Sequence, residues 1–147
     1  MPGVANSVEV DLGQMARDRA KLRSALAAVS ACKLSPAAAA GQVAAVAAGR
    51  QRLLNQPARL GAPTAQATLI ESLLRQALVY SIAADNQYRD WLSYLQGQAR
   101  CSTARNQNFT AAEREDALAT AAKQRFVAAF NPLARQLHLR TWSAAKF

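Results

Sequence analysis

The chain has 147 residues, half of them apolar and roughly a quarter alanine, enough for one domain with a real core. Strand formers are sparse and no segment alternates with period two, so the composition excludes a β fold and predicts an all-α one. The net charge of +9 is scattered, with 14 of the 18 basic residues arginine and no run of five or six, which disfavours nucleic acid as the partner.

The first predicted helix starts near Ser7 or Asp11, about residue 8, and runs to about Ala31. Ser7 can cap it, and Glu9 and Asp11 suit its positive end. Leu12, Met15, Leu22, Leu26 and Val29 form its apolar stripe. Arg19 falls on that stripe, so it either snorkels to solvent or meets a buried acid. Ser35 then caps a second helix with Pro36 in its first position, running over 36–55. Its first half is almost all small residues, which lets a neighbouring backbone come close. Pro57 closes it, and Gly61-Ala62-Pro63 make a turn.

Thr64 caps the third helix, over 65–97, the longest uninterrupted pattern in the chain. Ile70, Leu74, Ala77, Ala84, Tyr88, Trp91 and Leu95 put one stripe on one face, with Ser81 and Asp85 inside it. About 32 residues at ~1.5 Å each make a rod on the order of 48 Å long. A polar loop carrying Cys101 follows Gly97. Thr110 to Glu113 reads as a capping box with Phe109 as the hydrophobic staple, predicting a fourth helix over 111–130. Asn131-Pro132 kinks or breaks it, leaving a short piece over 133–138, and Trp142 folds back on the helices.

The first two connections are short and the third is about ten residues, so the fold expected is an antiparallel up-down-up-down four-helix bundle. No internal repeat or second domain is evident. In this topology the first helix ends, and the third helix ends, at the same end of the bundle. Cys32 and Cys101 therefore meet there, and a disulfide between them is expected. The disulfide implies an oxidising compartment, and two reduced thiols would imply the cytoplasm instead.

The same topology stacks residues by height. Arg19 lies about twelve residues before the end of the first helix and Asp85 about twelve before the end of the third. Arg50 and Lys123 lie about fourteen and thirteen past the starts of the second and fourth. All four fall in one layer within about one turn. A buried carboxylate needs a cation or several donors. Asp85 is therefore expected to pair with Arg50, Arg19 or Lys123, with Ser81 or Tyr88 adding hydrogen bonds. The layer is read first as an internal ion pair that fixes helix register, and second as a polar pocket for a small anionic ligand.

No catalytic or nucleotide-binding motif occurs, His138 stands alone, and two cysteines without CxxC spacing make no metal site. No cofactor, metal or catalytic residue is expected. Glu113, Glu115 and Asp116 read as complements to a helix dipole. No apolar run is long enough to span a membrane, and the opening residues do not form a signal peptide.

A spaced pattern remains: Cys32, Ser35-Pro36, Arg50 with Leu53-Leu54, Ala77-Leu78 to Ser81, Ala84-Asp85, Tyr88, Trp91, Cys101, and Lys123 with Phe126-Val127 and Asn131-Pro132. It resembles an extracytoplasmic helical domain of actinobacterial secreted or membrane-anchored proteins, over roughly residues 28 to 139. The resemblance implies one disulfide, a location outside the cytoplasm and no assigned activity. The opening residues depart from the pattern in carrying no signal or anchor.

The function expected is a non-catalytic extracytoplasmic module for binding, sensing or protein interaction. Its partner would be a protein, a cell-envelope component or a small anionic ligand. The alternative is a basic nucleic-acid-binding or nucleoid-associated protein, whose affinity would fall steeply with salt.

Overall fold

The structure is a computed structural model that describes residues 2–61 and 64–147, the first five of these by backbone alone. Four helices follow one another: α1 Pro2–Ser30, α2 Pro36–Leu54, α3 Ala65–Gln96 and α4 Gln107–Gln136, with a 3-10 turn at Ala144–Lys146. Each packs on the next in sequence order, as antiparallel helices joined by short connections must, and among the described residues the backbones of α1 and α4 make at most marginal contact. The four-helix bundle expected from the sequence is the fold found.

Local signals set most of the boundaries. Ser35 Oγ accepts the Ala38 N–H at 3.1 Å, and Thr64 Oγ1 accepts the Ala67 N–H at 3.1 Å. Gly61 takes a left-handed φ of 55°, while Ala62 and Pro63 of the expected turn lie outside the described residues.

Three boundaries differ from expectation. α1 begins at Pro2, so Ser7 is not its cap and Glu9 and Asp11 lie beyond its first turn. Their carboxylates meet tertiary partners instead: Glu9 accepts the Arg140 N–H at 2.8 Å, and Asp11 binds Arg59. α4 begins at Gln107, not after Thr110. Asn106 Oδ1 takes the N–H groups of Asn108 and Phe109 at 3.0 and 3.3 Å, which leaves the Thr110–Glu113 box inside the helix. The kink or break expected at Asn131-Pro132 is not a break: the proline lies inside one helix that runs on to Gln136. Pro132 and Ala128, the residue whose carbonyl loses its helical donor, both lie on the exposed side of the helix.

Cys32 and Cys101 form the expected disulfide at one end of the bundle, with Cα atoms 5.9 Å apart and a sequence separation of 69. Closing a loop of that size stabilises by about 4 kcal/mol through the unfolded chain. Cys32 also occupies the left-handed position just past α1, with φ 56°. The Lys33 and Cys32 N–H groups turn back onto Ala28 and Val29 carbonyls at 2.8 and 3.0 Å, a Schellman cap.

The apolar core is in two parts. One holds Leu12, Met15, Leu53, Leu74, Leu78, Phe126 and Phe130, closed by Trp142 and Phe147 of the tail. The other, towards the disulfide, holds Leu22, Val29, Val43, Ala84, Trp91, Leu92 and Phe109. Trp142 folds back as expected: Asn131 binds both its backbone N–H and its carbonyl, at 3.0 and 2.9 Å. Between the two apolar parts, by position along each helix, fall Arg19, Arg50, Ser81 and Lys123, with Asp85 at the boundary.

Candidate functional site: a cationic cleft between the first and last helices

On α3 the buried positions include 71, 78, 85 and 92, and 74, 81, 88 and 95, two interleaved seven-residue rows that keep one seam facing inward. Most are apolar or aromatic. Glu71, Ser81 and Asp85 are not, and each is buried. A polar group on this seam must find its partner within the bundle.

Asp85 finds it on α2. Arg50 Nη1 donates to Asp85 Oδ1 at 2.6 Å, and the Arg50 and Asp85 side chains are 4% and 0% exposed. The same nitrogen approaches the Ser81 backbone carbonyl at 3.4 Å. Ser81 thus contributes its main chain to Arg50, and no hydroxyl bond to Asp85 forms. Tyr88 does not serve Asp85 either; its hydroxyl donates to Asp116 Oδ2 at 2.7 Å. Lys123 turns its ammonium to the Phe147 carbonyl, with the Phe147 ring centroid 5.5 Å away. Of the three cations expected near Asp85, Arg50 alone is the partner.

Burial sets the titration of these groups. It raises the Asp85 carboxyl to about 6 against the opposing pull of Arg50. It lowers the Lys123 ammonium to about 7, with Arg50 and Arg19 adding repulsion. It also lowers Arg19, helped by Arg23. The Tyr88 phenol moves upward, through burial first and then its bond to Asp116. At neutral pH Asp85 is an ionised, paired carboxylate and Lys123 stands near its titration midpoint.

The layer opens on a cleft of about 540 Å³ between α1 and α4. Arg19, Leu22, Arg23 and Leu26 form the α1 wall. Glu113, Asp116, Thr120 and Lys123 stand on the α4 wall, and Arg50, Ser81 and Tyr88 make the floor. Of the acids of this cleft, Asp116 accepts from Tyr88 and attracts Arg19 and Lys123, while Glu113 lies 3.8 Å from Arg105 with both side chains exposed. Arg19, Arg23 and Lys123 have no carboxylate side chain within ion-pair distance among the described residues. The Nε atoms of Arg19 and Arg50 are buried without a hydrogen-bond acceptor. The arrangement can receive negative charge; it offers no nucleophile–base pair in contact.

A larger hollow, about 640 Å³, lies beside the disulfide, where Lys33 and Arg100 are the only charges among the described residues. No cluster of three or more metal-ligating side chains occurs among the described residues.

Sequence reasoning missed a second ionic node. Arg59, after α2, binds Asp11 of α1 through Nε, Glu71 of α3 through Nη1 at 3.4 Å, and the Leu53 carbonyl through Nη2. Glu71 also takes the backbone N–H groups of Arg59 and Leu60, the latter at 3.0 Å. The signal that could have found it is the seam itself: Glu71 lies two seven-residue repeats before Asp85. Arg59, in an irregular connection, carries no periodic signal.

The fold and site define a disulfide-linked four-helix bundle with a cationic cleft in its middle layer. No protein-family model, curated protein or solved structure matches the chain. No helix is long and apolar enough to cross a membrane among the described residues.

Proposed function

We propose that this chain is a non-catalytic helical binding or sensing module of the space outside the cytoplasm, and that it takes a small anionic ligand in the α1–α4 cleft. The observation that carries the reading is that Arg19, Arg23 and Lys123 line the cleft with no carboxylate side chain in ion-pair distance among the described residues. Desolvated cations strengthen their hold on an anion because water no longer screens them. The disulfide is compatible with an oxidising compartment. Nucleic acid is disfavoured as the partner because the basic residues are scattered along the chain, with no run of five or six.

Thermal unfolding against a panel of small anions, at constant ionic strength, tests the reading. At least one anion raises the midpoint with increasing concentration, as a ligand of the folded state must. Arg19→Gln removes that rise. Equal responses of the original protein and the variant to every anion would overturn the proposal. Protein from its natural source, titrated for thiols under denaturing and non-reducing conditions, shows none free; two free thiols would remove the extracytoplasmic assignment.

A further inference from the structure

We infer that the anion taken by the cleft is a tetrahedral oxyanion of the phosphate type, gripped by Arg19 and Arg23 of α1 and Lys123 of α4. This rests on the small-anion reading above and narrows it to a chemical class.

Donor number is the first argument. Two guanidinium groups and one ammonium present more N–H donors than a carboxylate has acceptor positions, and planar arginine forks bind phosphate oxygens in pairs. A phosphoryl group offers three strong acceptor oxygens to three cationic heads. A lone carboxylate would leave more donors of half-buried Arg19 and buried Lys123 unmatched than a phosphoryl group does, which costs free energy.

Charge is the second. The lining carries four cations, Arg19, Arg23, Arg50 and Lys123, against two acids, Glu113 and Asp116. Asp85 balances Arg50, and Lys123 is partly charged near neutrality, so the excess is at most one, and an incoming anion neutralises it while drawing a proton onto Lys123. Arg19 and Arg23 stand one turn apart on α1, where like charges repel. An oxyanion between them reverses the sign of that interaction.

Depth is the third. Arg50 forms the floor with its Nε unpaired, and the α1 and α4 backbones are not packed together across the opening. A compact charged head fits this recess; a duplex does not. Lys123 adds a signature. The groups facing it are Arg19 from α1, Arg50 from α2, Asp85 from α3, Asp116 from α4 and the Phe147 carbonyl of the tail. A dianion beside it raises its proton affinity, so binding near pH 7 takes up protons.

Calorimetric titration at low ionic strength tests the class, with inorganic phosphate, glycerol 3-phosphate and succinate as soluble probes. Sedimentation with phosphatidylcholine vesicles, with and without phosphatidic acid, asks whether the phosphoryl group belongs to a lipid. At least one phosphoryl probe is expected to bind about tenfold or more tightly than succinate. Arg23→Gln, at an exposed position where folding is not at risk, weakens that probe by about tenfold. Proton uptake, read from the buffer dependence of the binding heat, accompanies binding of a soluble probe. Binding only to phosphatidic acid vesicles supports the class and assigns a lipid headgroup. Succinate binding as tightly as phosphate, with both weakened by Arg23→Gln, overturns the phosphate class while sustaining the small-anion reading. No binding of any anion, or phosphate binding unchanged by Arg23→Gln, overturns the grip proposed here; the first result also removes the reading beneath it.

Discussion

Arg50 and Asp85 meet at 2.6 Å in the middle of the bundle, bridging α2 and α3 where the two apolar parts of the core separate. The contact is the sole ion pair of that layer among the described residues, and it lies out of solvent. A buried pair of this kind contributes less by its attraction than it costs when one partner is lost.

Asp85→Ala strands the Arg50 guanidinium in the core and is expected to lower stability by about 3–5 kcal/mol. The double change Arg50→Met with Asp85→Ala recovers a large part of that loss, because no unpaired charge remains. Chemical denaturation of the two single variants and the double variant measures both effects. A loss within ~0.5 kcal/mol for Asp85→Ala, typical of a surface site, would contradict the buried pair.

Stability should respond to pH in two opposite windows. The folded Asp85 carboxyl titrates at about 6, above its ordinary 3.8, so the folded state holds the extra proton between those values. The Asp85 contribution therefore falls as pH rises from about 4 to about 6. The folded Lys123 ammonium titrates at about 7, below its ordinary 10.5, so the unfolded state holds the extra proton above pH 7. Its contribution grows as pH rises from about 7 towards 10.5. Denaturation midpoints across pH for Lys123→Met lack the alkaline rise, and those for Asp85→Asn lack the acidic fall.

The Arg59 node at the opposite end from the disulfide should be as sensitive as the central pair. Arg59→Met leaves Asp11 and Glu71 without their shared cation, at 6% and 8% exposure. A loss of about 3–5 kcal/mol is expected, measured by urea denaturation at neutral pH.

His138 follows α4 in a left-handed conformation with φ 55°. Its N–H and that of Leu139 turn back to the Arg135 and Ala134 carbonyls at 3.2 and 2.8 Å. Glycine is the residue suited to that position, since it has no Cβ to clash. His138→Gly is therefore expected to leave stability unchanged or raise it by up to ~1 kcal/mol. Thermal denaturation decides it, and a clear loss would mean that the exposed imidazole has a role the cap does not explain.

Periodicity made the helices legible, and short connections made their order legible. The disulfide followed from those two together. The charged layer was legible in height, because distance along a helix fixes level, but its pairings were not. Arg19, Arg50 and Lys123 reach the same level with long, flexible side chains, and only the packing of α2 against α3 selects Arg50 for Asp85. The start of α4 was misread because Asn106 and Thr110 both carry capping oxygens, and the backbone chose the earlier one. Arg59 escaped notice because an irregular connection has no repeat against which a buried charge stands out.

The sequence by itself determined four helices, their antiparallel order, the Cys32–Cys101 link and a polar level in the core, because each depends on local periodicity and on chain lengths between turns. Only the tertiary structure decided that Arg50 holds Asp85, that Arg59 gathers Asp11 and Glu71, and that α1 and α4 stand apart over a cationic cleft. Those outcomes depend on which long side chains reach across helix interfaces and which faces close, and burial, not sequence spacing, settles that competition.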